Sequence, residues 1–258
     1  MQPILQIALD FINLDQALRV AAEAVEGGAD WLEAGTPLIK SEGLEAVRRL
    51  KKEFPGKEIV ADMKVMDAGR FEVEAAAKAG ADIVDVLACA SNATITECIE
   101  TARHFGVQIA VDMIGVPDIA ARAREIAALG PDYLVVHTSI DDQMKGGSPF
   151  ENLEQIAGTV GIPVGVAGGI NSETCVHALK HGAGVVIVGG AVTKSSDARE
   201  AVADIRRAMV SGEALESKFY KRADLSGLRE AFLRVSTCNV SDAMHRAREM
   251  EGITPMVP

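Results

Sequence analysis

The segment Asp62-Met63-Lys64-Val65-Met66-Asp67 sets a lysine between two carboxylates. In an extended strand end, Asp62 and Lys64 are two apart and share a face. A lysine flanked in this way keeps its charge, can neutralise an enediolate and can pass a proton. Taken alone, the same residues describe a surface ion pair equally well. Other acids, and one histidine, close short apolar runs: Asp10, Glu33, Asp112, and His137 with Asp141. Carboxylates gathered in one narrow mouth repel each other unless a cation intervenes. Oxygen donors select a hard divalent ion, Mg2+ or Mn2+, with Glu33 and Asp62 as first candidates for ligands. His137, the one histidine among these strand-end residues, is the candidate acid or base. Val166-Ala167-Gly168-Gly169 and Val188-Gly189-Gly190 could lay backbone N–H groups against a phosphate.

These residues need a scaffold that brings them to one place. Eight short apolar runs, at 4–9, 31–33, 59–63, 83–87, 108–112, 133–137, 163–166 and 185–188, read as parallel strands buried on both faces. Helical patterns lie between them, at 15–26, 43–53, 69–78, 92–105, 117–129, 149–159, 172–180 and 197–209. Asn13, Ser91 and Asn171 stand at helix starts. Gly28-Ala29-Asp30, Gly80-Ala81-Asp82 and Gly182-Ala183-Gly184 precede strands, where the glycine ends a helix. Eight strand–helix units predict an α/β fold, a closed (β/α)8 TIM barrel over residues 1–210. Residues 211–258 read as a linker and helical tail outside it. In such a barrel the C-terminal strand ends form the active site, and the seventh and eighth loops are the usual seat of a phosphate. One Gly-Gly is weak evidence, but two at those loops carry weight.

The bulk composition narrows the partners. With 26 basic against 37 acidic residues, the net charge is −11, and no basic stripe is present to bind nucleic acid or an anionic membrane. Four scattered cysteines fit neither a metal motif nor a disulfide framework. The N-terminus lacks the pattern of a signal peptide, and no apolar stretch reaches the roughly 18 residues of a membrane span. A cytoplasmic protein acting on a small molecule is expected.

The residues quoted above resemble the orotidine-5′-phosphate decarboxylase suprafamily over about residues 5–209. The resemblance lies in Ala8-Leu9-Asp10, Glu33-Ala-Gly-Thr36-Pro, Asp62-x-Lys64-x-x-Asp67, His137, Val-Ala-Gly-Gly-Ile and Val-Gly-Gly-Ala. The Glu-x-Gly-Thr-Pro element is similar to the metal-dependent branch, which holds 3-keto-L-gulonate-6-phosphate decarboxylase (KGPDC) and 3-hexulose-6-phosphate synthase. The decarboxylases carry an arginine directly before the acid at Asp141, whereas here Ile140 stands there, as in the synthases.

The resemblance therefore implies a reversible aldol reaction of formaldehyde with D-ribulose 5-phosphate, with KGPDC activity as the alternative. It implies Mg2+ or Mn2+ on Glu33 and Asp62, His137 as base, and Lys64 against the enediolate. Asp10 and Asp112 would orient sugar hydroxyls, and Thr36, Asp141 and the backbone from Ala167 to Gly169 would bind substrate. It further implies a homodimer with shared active sites, Asp67 reaching into the neighbour's. One departure falls at Gly190, where some relatives have a phosphate-gripping arginine; Lys194 is a candidate helper. Residues 233–243 resemble the opening of an RraA-like domain.

Overall fold

A computed structural model describes residues 3–217 and Leu233. The expectations for the helical tail and its RraA-like opening lie outside the described residues, Leu233 apart. The chain divides into two compact units, Met1–Tyr220 and Lys221–Pro258.

The first unit contains β1 (Ile4–Leu9), β2 (Trp31–Ala34), β3 (Glu58–Val65), β4 (Ile83–Leu87), β5 (Gln108–Asp112), β6 (Tyr133–His137), β7 (Val164–Ala167) and β8 (Val185–Val188). Each strand pairs in parallel with the next, and β8 closes onto β1. The predicted eight-stranded barrel is the fold. Around it run α1 (Leu14–Glu26), α2 (Thr36–Glu42), α3 (Glu45–Glu53), α4 (Gly69–Ala79), α5 (Asn92–Phe105), α6 (Ile119–Leu129), α7 (Ile140–Met144), α8 (Phe150–Ile156), α9 (Cys175–Lys180), α10 (Gly190–Thr193) and α11 (Ala198–Ser211). No helix among the described residues is long and apolar enough to cross a membrane.

Caps explain most helix starts. Asn13 accepts from the Gln16 N–H at 2.9 Å and Ser91 from Thr94 at 3.1 Å, as their side chains allow. The stretch read as one helix over 43–53 is preceded by a second, α2, which Pro37 opens from its first turn. Asn171 caps a turn rather than α9 itself: its Oδ1 accepts from Glu173 and Thr174, and α9 starts at Cys175.

The Gly-Ala-Asp pattern has a structural cause. Asp30 donates its N–H to the Leu5 carbonyl and accepts the Leu5 N–H on Oδ2 at 2.8 Å. Asp82 does the same for Ile59, and Asp132 for Ile109. Each aspartate thus satisfies a strand-start N–H at the N-terminal rim of the barrel.

Alternation sorts the strands into two faces. On β1, Leu5, Ile7 and Leu9 pack toward the helices, while Ala8 belongs to the barrel interior with Val60, Ile83, Ala110, Val135 and Ile187. Trp31 and Tyr133 meet edge to face against this interior cluster, with ring centroids 5.5 Å apart. Above that apolar floor the same inner positions turn polar, which is how the fold builds its site.

Candidate active site

Asp62, Lys64, Asp112 and His137 converge on a single network at the strand ends. Asp112 closes β5 and is almost fully buried. Its Oδ2 receives Lys64 Nζ at 3.0 Å and faces His137 Nδ1 at 2.9 Å, while its Oδ1 accepts the Ile114 N–H at 2.9 Å. Burial alone would raise the Asp112 carboxyl, but the His137 and Lys64 bonds outweigh it and hold the group below the ordinary aspartate value. Asp112 thus holds both His137 and Lys64 in place.

Lys64 also donates to Asp62 Oδ1 at 3.1 Å. Desolvation would lower its ammonium, yet the charges of Asp112 and Asp62 prevail and raise it above the usual lysine range. A simple extended strand end was expected to set Asp62 and Lys64 side by side. Instead β3 bulges: Ala61 pairs with Val84 but Val65 pairs with Val86, and Lys64 takes a left-handed φ of 46°. Such a conformation at a lysine costs about 1–3 kcal/mol. The network of Lys64 bonds supports it, and the bulge is what delivers the ammonium to Asp112.

Asp62 is held on its other side by Thr36, whose hydroxyl donates to Oδ2 at 2.5 Å and whose N–H reaches the same oxygen at 3.2 Å. Thr36 is buried and turns its hydroxyl and its N–H to Asp62. Glu33, buried on β2, accepts the Gln6 amide at 2.7 Å. Burial first, then the charges of Asp62 and Asp10, push its carboxyl well above the glutamate range.

Gln6 and Asp85 did not figure among the expected site residues. Both are buried inner residues lying within strands rather than at their ends. One oxygen each from Glu33, Asp62 and Asp85 falls within 4.8 Å of the others, and Asp85 Oδ1 has no hydrogen-bond partner among the described residues. An orphaned, buried carboxylate oxygen beside two further carboxylates suits a hard divalent cation, so the donor set fits Mg2+ or Mn2+.

Asp10 follows β1 and sits between two glycine turns. A Cβ on Gly35 would lie 2.2 Å from Asp10 Oδ1, and one on Gly189 would lie 3.2 Å from Oδ2. Its carboxyl is raised, mainly by burial and then by Asp62. Gly168 and Gly169 turn the chain after Ala167 with φ of 103° and 75°. A side chain at Gly168 would strike the Thr138 carbonyl at 2.6 Å. Gly189 ends β8 and Gly190 opens α10, with the Lys194 side chain close by. Asp141 lies exposed in the first turn of α7, one residue after the exposed Ile140. Asp67 is exposed between β3 and α4 and forms no ion pair with a described residue.

A closed parallel barrel carrying acids, a lysine and a histidine at its C-terminal mouth, with glycine turns after β7 and β8, defines a barrel enzyme equipped for a small anionic substrate. The sequence profile described as "Orotidine 5'-phosphate decarboxylase / HUMPS family" matches residues 3–205, and the chain belongs to that family. It is 42% identical over 209 residues to 3-hexulose-6-phosphate synthase of Bacillus subtilis (strain 168), covering 81% of this chain and 99% of that one. The crystal structure of 3-hexulose-6-phosphate synthase from Salmonella typhimurium superposes with a TM-score of 0.77 at 37% identity, over 81% of this chain and 100% of that one. KGPDC from Streptococcus mutans, crystallised with a sugar phosphate, gives a TM-score of 0.74 at 26% identity, over 82% and 99% of the two chains.

Proposed function

We propose that the protein catalyses the reversible aldol condensation of formaldehyde with D-ribulose 5-phosphate, giving D-arabino-hex-3-ulose 6-phosphate. The observation that carries this reading is the Asp112 carboxylate shared by His137 and Lys64 beside the acids Glu33 and Asp62. Relatives at 37–42% identity bear the synthase name, while the KGPDC neighbour is more distant at 26%. Ile140 in place of an arginine favours the synthase over the decarboxylase.

Glu33 and Asp62 are the residues that would hold Mg2+ or Mn2+, which when bound supplies Lewis-acid stabilisation to neighbouring substrate oxygens. His137 donates Nδ1–H to Asp112, which leaves Nε2 to take the C1 proton of ribulose 5-phosphate. The lone pair freed at C1 spreads onto the carbonyl oxygen, and the Lys64 ammonium hydrogen-bonds the charge that develops there. C1 then attacks the formaldehyde carbon, a new C–C bond forms, and the former formaldehyde oxygen recovers the proton from His137. Asp10 and Asp141 orient hydroxyls. The backbone of Ala167, Gly168, Gly169, Gly189 and Gly190 receives the phosphate, with Lys194 beside it.

Two copies would pair through the barrel mouth, with Asp67 serving the neighbour's site. Exposed Met66 and Phe71 flank Asp67, and exposed Ile12 follows β1 on the same end of the barrel. We assign the reaction to the cytoplasm, where exposed thiols such as Cys89 stay reduced.

The deciding experiment measures formaldehyde-dependent consumption of ribulose 5-phosphate with and without EDTA. Turnover that EDTA abolishes and Mg2+ restores is expected. Turnover indifferent to EDTA would sink the cation reading. Carbon dioxide release from 3-keto-L-gulonate 6-phosphate without any condensation would replace the synthase with the decarboxylase.

A further inference from the structure

Asp85 stands in the middle of β4, between Val84 and Val86, which pack outward in the main core. Its own side chain points inward, where Ile83, Val60 and Val135 form an apolar cluster, and it lines the narrow cavity inside the barrel with Gln6 and Trp31. It is only 6% exposed, and its Oδ1 is without a hydrogen-bond partner among the described residues. A valine or isoleucine would fill such a position at no electrostatic cost, whereas an unpaired buried carboxylate costs several kcal/mol.

The bonds of the protein donors near Asp85 go to other carboxylates. Lys64 bonds Asp62 Oδ1 and Asp112 Oδ2, Thr36 bonds Asp62 Oδ2, and the Gln6 amide bonds Glu33 Oε2. What Asp85 does approach is two more carboxylates, with one oxygen from each of Glu33, Asp62 and Asp85 inside a 4.8 Å limit. Opposite ligands of an octahedral Mg2+ stand about 4.2 Å apart, so small adjustments would let all three oxygens share one ion.

We propose that Asp85 is a third carboxylate ligand of the divalent-cation site, seated on the interior side of Glu33 and Asp62. This rests on the reading that Glu33 and Asp62 hold the cation. Its consequence is specific: the ion is anchored from within the barrel by three protein oxygens and stays bound when no sugar is present.

The test is direct binding rather than turnover. EDTA-treated protein is titrated with Mn2+, the free ion is read by electron paramagnetic resonance, and wild type is compared with Asp85→Asn, Asp85→Ser and Glu33→Gln. Both Asp85 variants are expected to weaken Mn2+ binding by about tenfold or more. In thermal melts the metal-free Tm of Asp85→Asn should match or exceed wild type, while the rise in Tm on adding Mn2+ shrinks. The serine variant is smaller and carries the comparison if asparagine disturbs the fold. Should both Asp85 variants bind Mn2+ within about twofold of wild type while Glu33→Gln does not, Asp85 is no ligand and the Glu33–Asp62 cation site stands without it. If wild type itself takes up no Mn2+, the cation reading and this inference fall together.

Discussion

Asp112 and His137 meet through a single contact, Oδ2 to Nδ1 at 2.9 Å, and that same oxygen also receives Lys64. One carboxylate therefore fixes both the tautomer of the proposed base and the position of the proposed charge stabiliser. Asp112→Asn retains the shape but presents an amide where two donors require an acceptor. A loss of at least about a hundredfold in kcat is expected, with KM for ribulose 5-phosphate changed only a few-fold. Steady-state kinetics check it, and a variant with near-normal kcat would remove Asp112 from the mechanism.

Gly35 makes room for Asp10. With φ of −64°, alanine suits the backbone there, but its Cβ would fall 2.2 Å from Asp10 Oδ1. Gly35→Ala should displace the Asp10 side chain, raise KM about tenfold or more, and leave the fold intact; a tenfold change corresponds to about 1.4 kcal/mol of binding. Circular dichroism and kinetics on the same preparation separate the two effects. An unchanged KM would show that Asp10 does not touch the sugar.

Much of this architecture was legible beforehand, and the reasons differ by residue. Strand ends expose a charged residue after a run of aliphatics, which is why Asp10, Glu33, Asp62, Asp112 and His137 could be picked out. Asp85 and Gln6 interrupt their runs from within, at Ile-Val-Asp-Val-Leu and Ile-Leu-Gln-Ile-Ala-Leu. When a strand is buried on both faces, hydropathy does not say which face an interior residue takes. The usable signal was a polar residue inside such a run at the same parity as Ala8 or Ile83. The bulge at Lys64 left no mark because no glycine announces it; bonds from distant Asp112 impose that backbone. The Thr36–Asp62 bonds were equally invisible, since a family motif reveals that a residue matters without revealing what it touches.

Stability in the absence of metal should depend on pH with a definite sign. Glu33 and Asp85 have folded values raised above their unfolded ones, by burial first and then by neighbouring carboxylates. Their contribution is full below the ordinary carboxylate range and fades as pH climbs through the raised values. Asp112 is shifted downward, so its contribution fades only in stronger acid. The Tm of EDTA-treated protein should thus fall as pH rises above the ordinary carboxylate range, and Glu33→Gln should flatten that slope. Differential scanning calorimetry over that rise in pH is the measurement; a Tm that climbs with pH contradicts it.

At the opposite rim, Asp132 accepts the Ile109 N–H at 2.8 Å and touches nothing at the mouth. Asp132→Ala leaves that N–H without its carboxylate and should cost about 1–3 kcal/mol, lowering the denaturation midpoint. Turnover at low temperature should stay within about twofold of wild type by the same separation of barrel ends. Urea unfolding followed by fluorescence, with activity measured in parallel, tests both halves.

The Trp31–Tyr133 pair plugs the lower half of the barrel. Traffic to Glu33 and Asp62 must then pass through one doorway, the opening where the sugar also docks. An ion resting on those acids would have to enter and leave by the opening that the sugar covers. Exchange of that ion should consequently stall when the sugar phosphate is saturating, giving the site a memory of its cargo that lasts one catalytic cycle at a time.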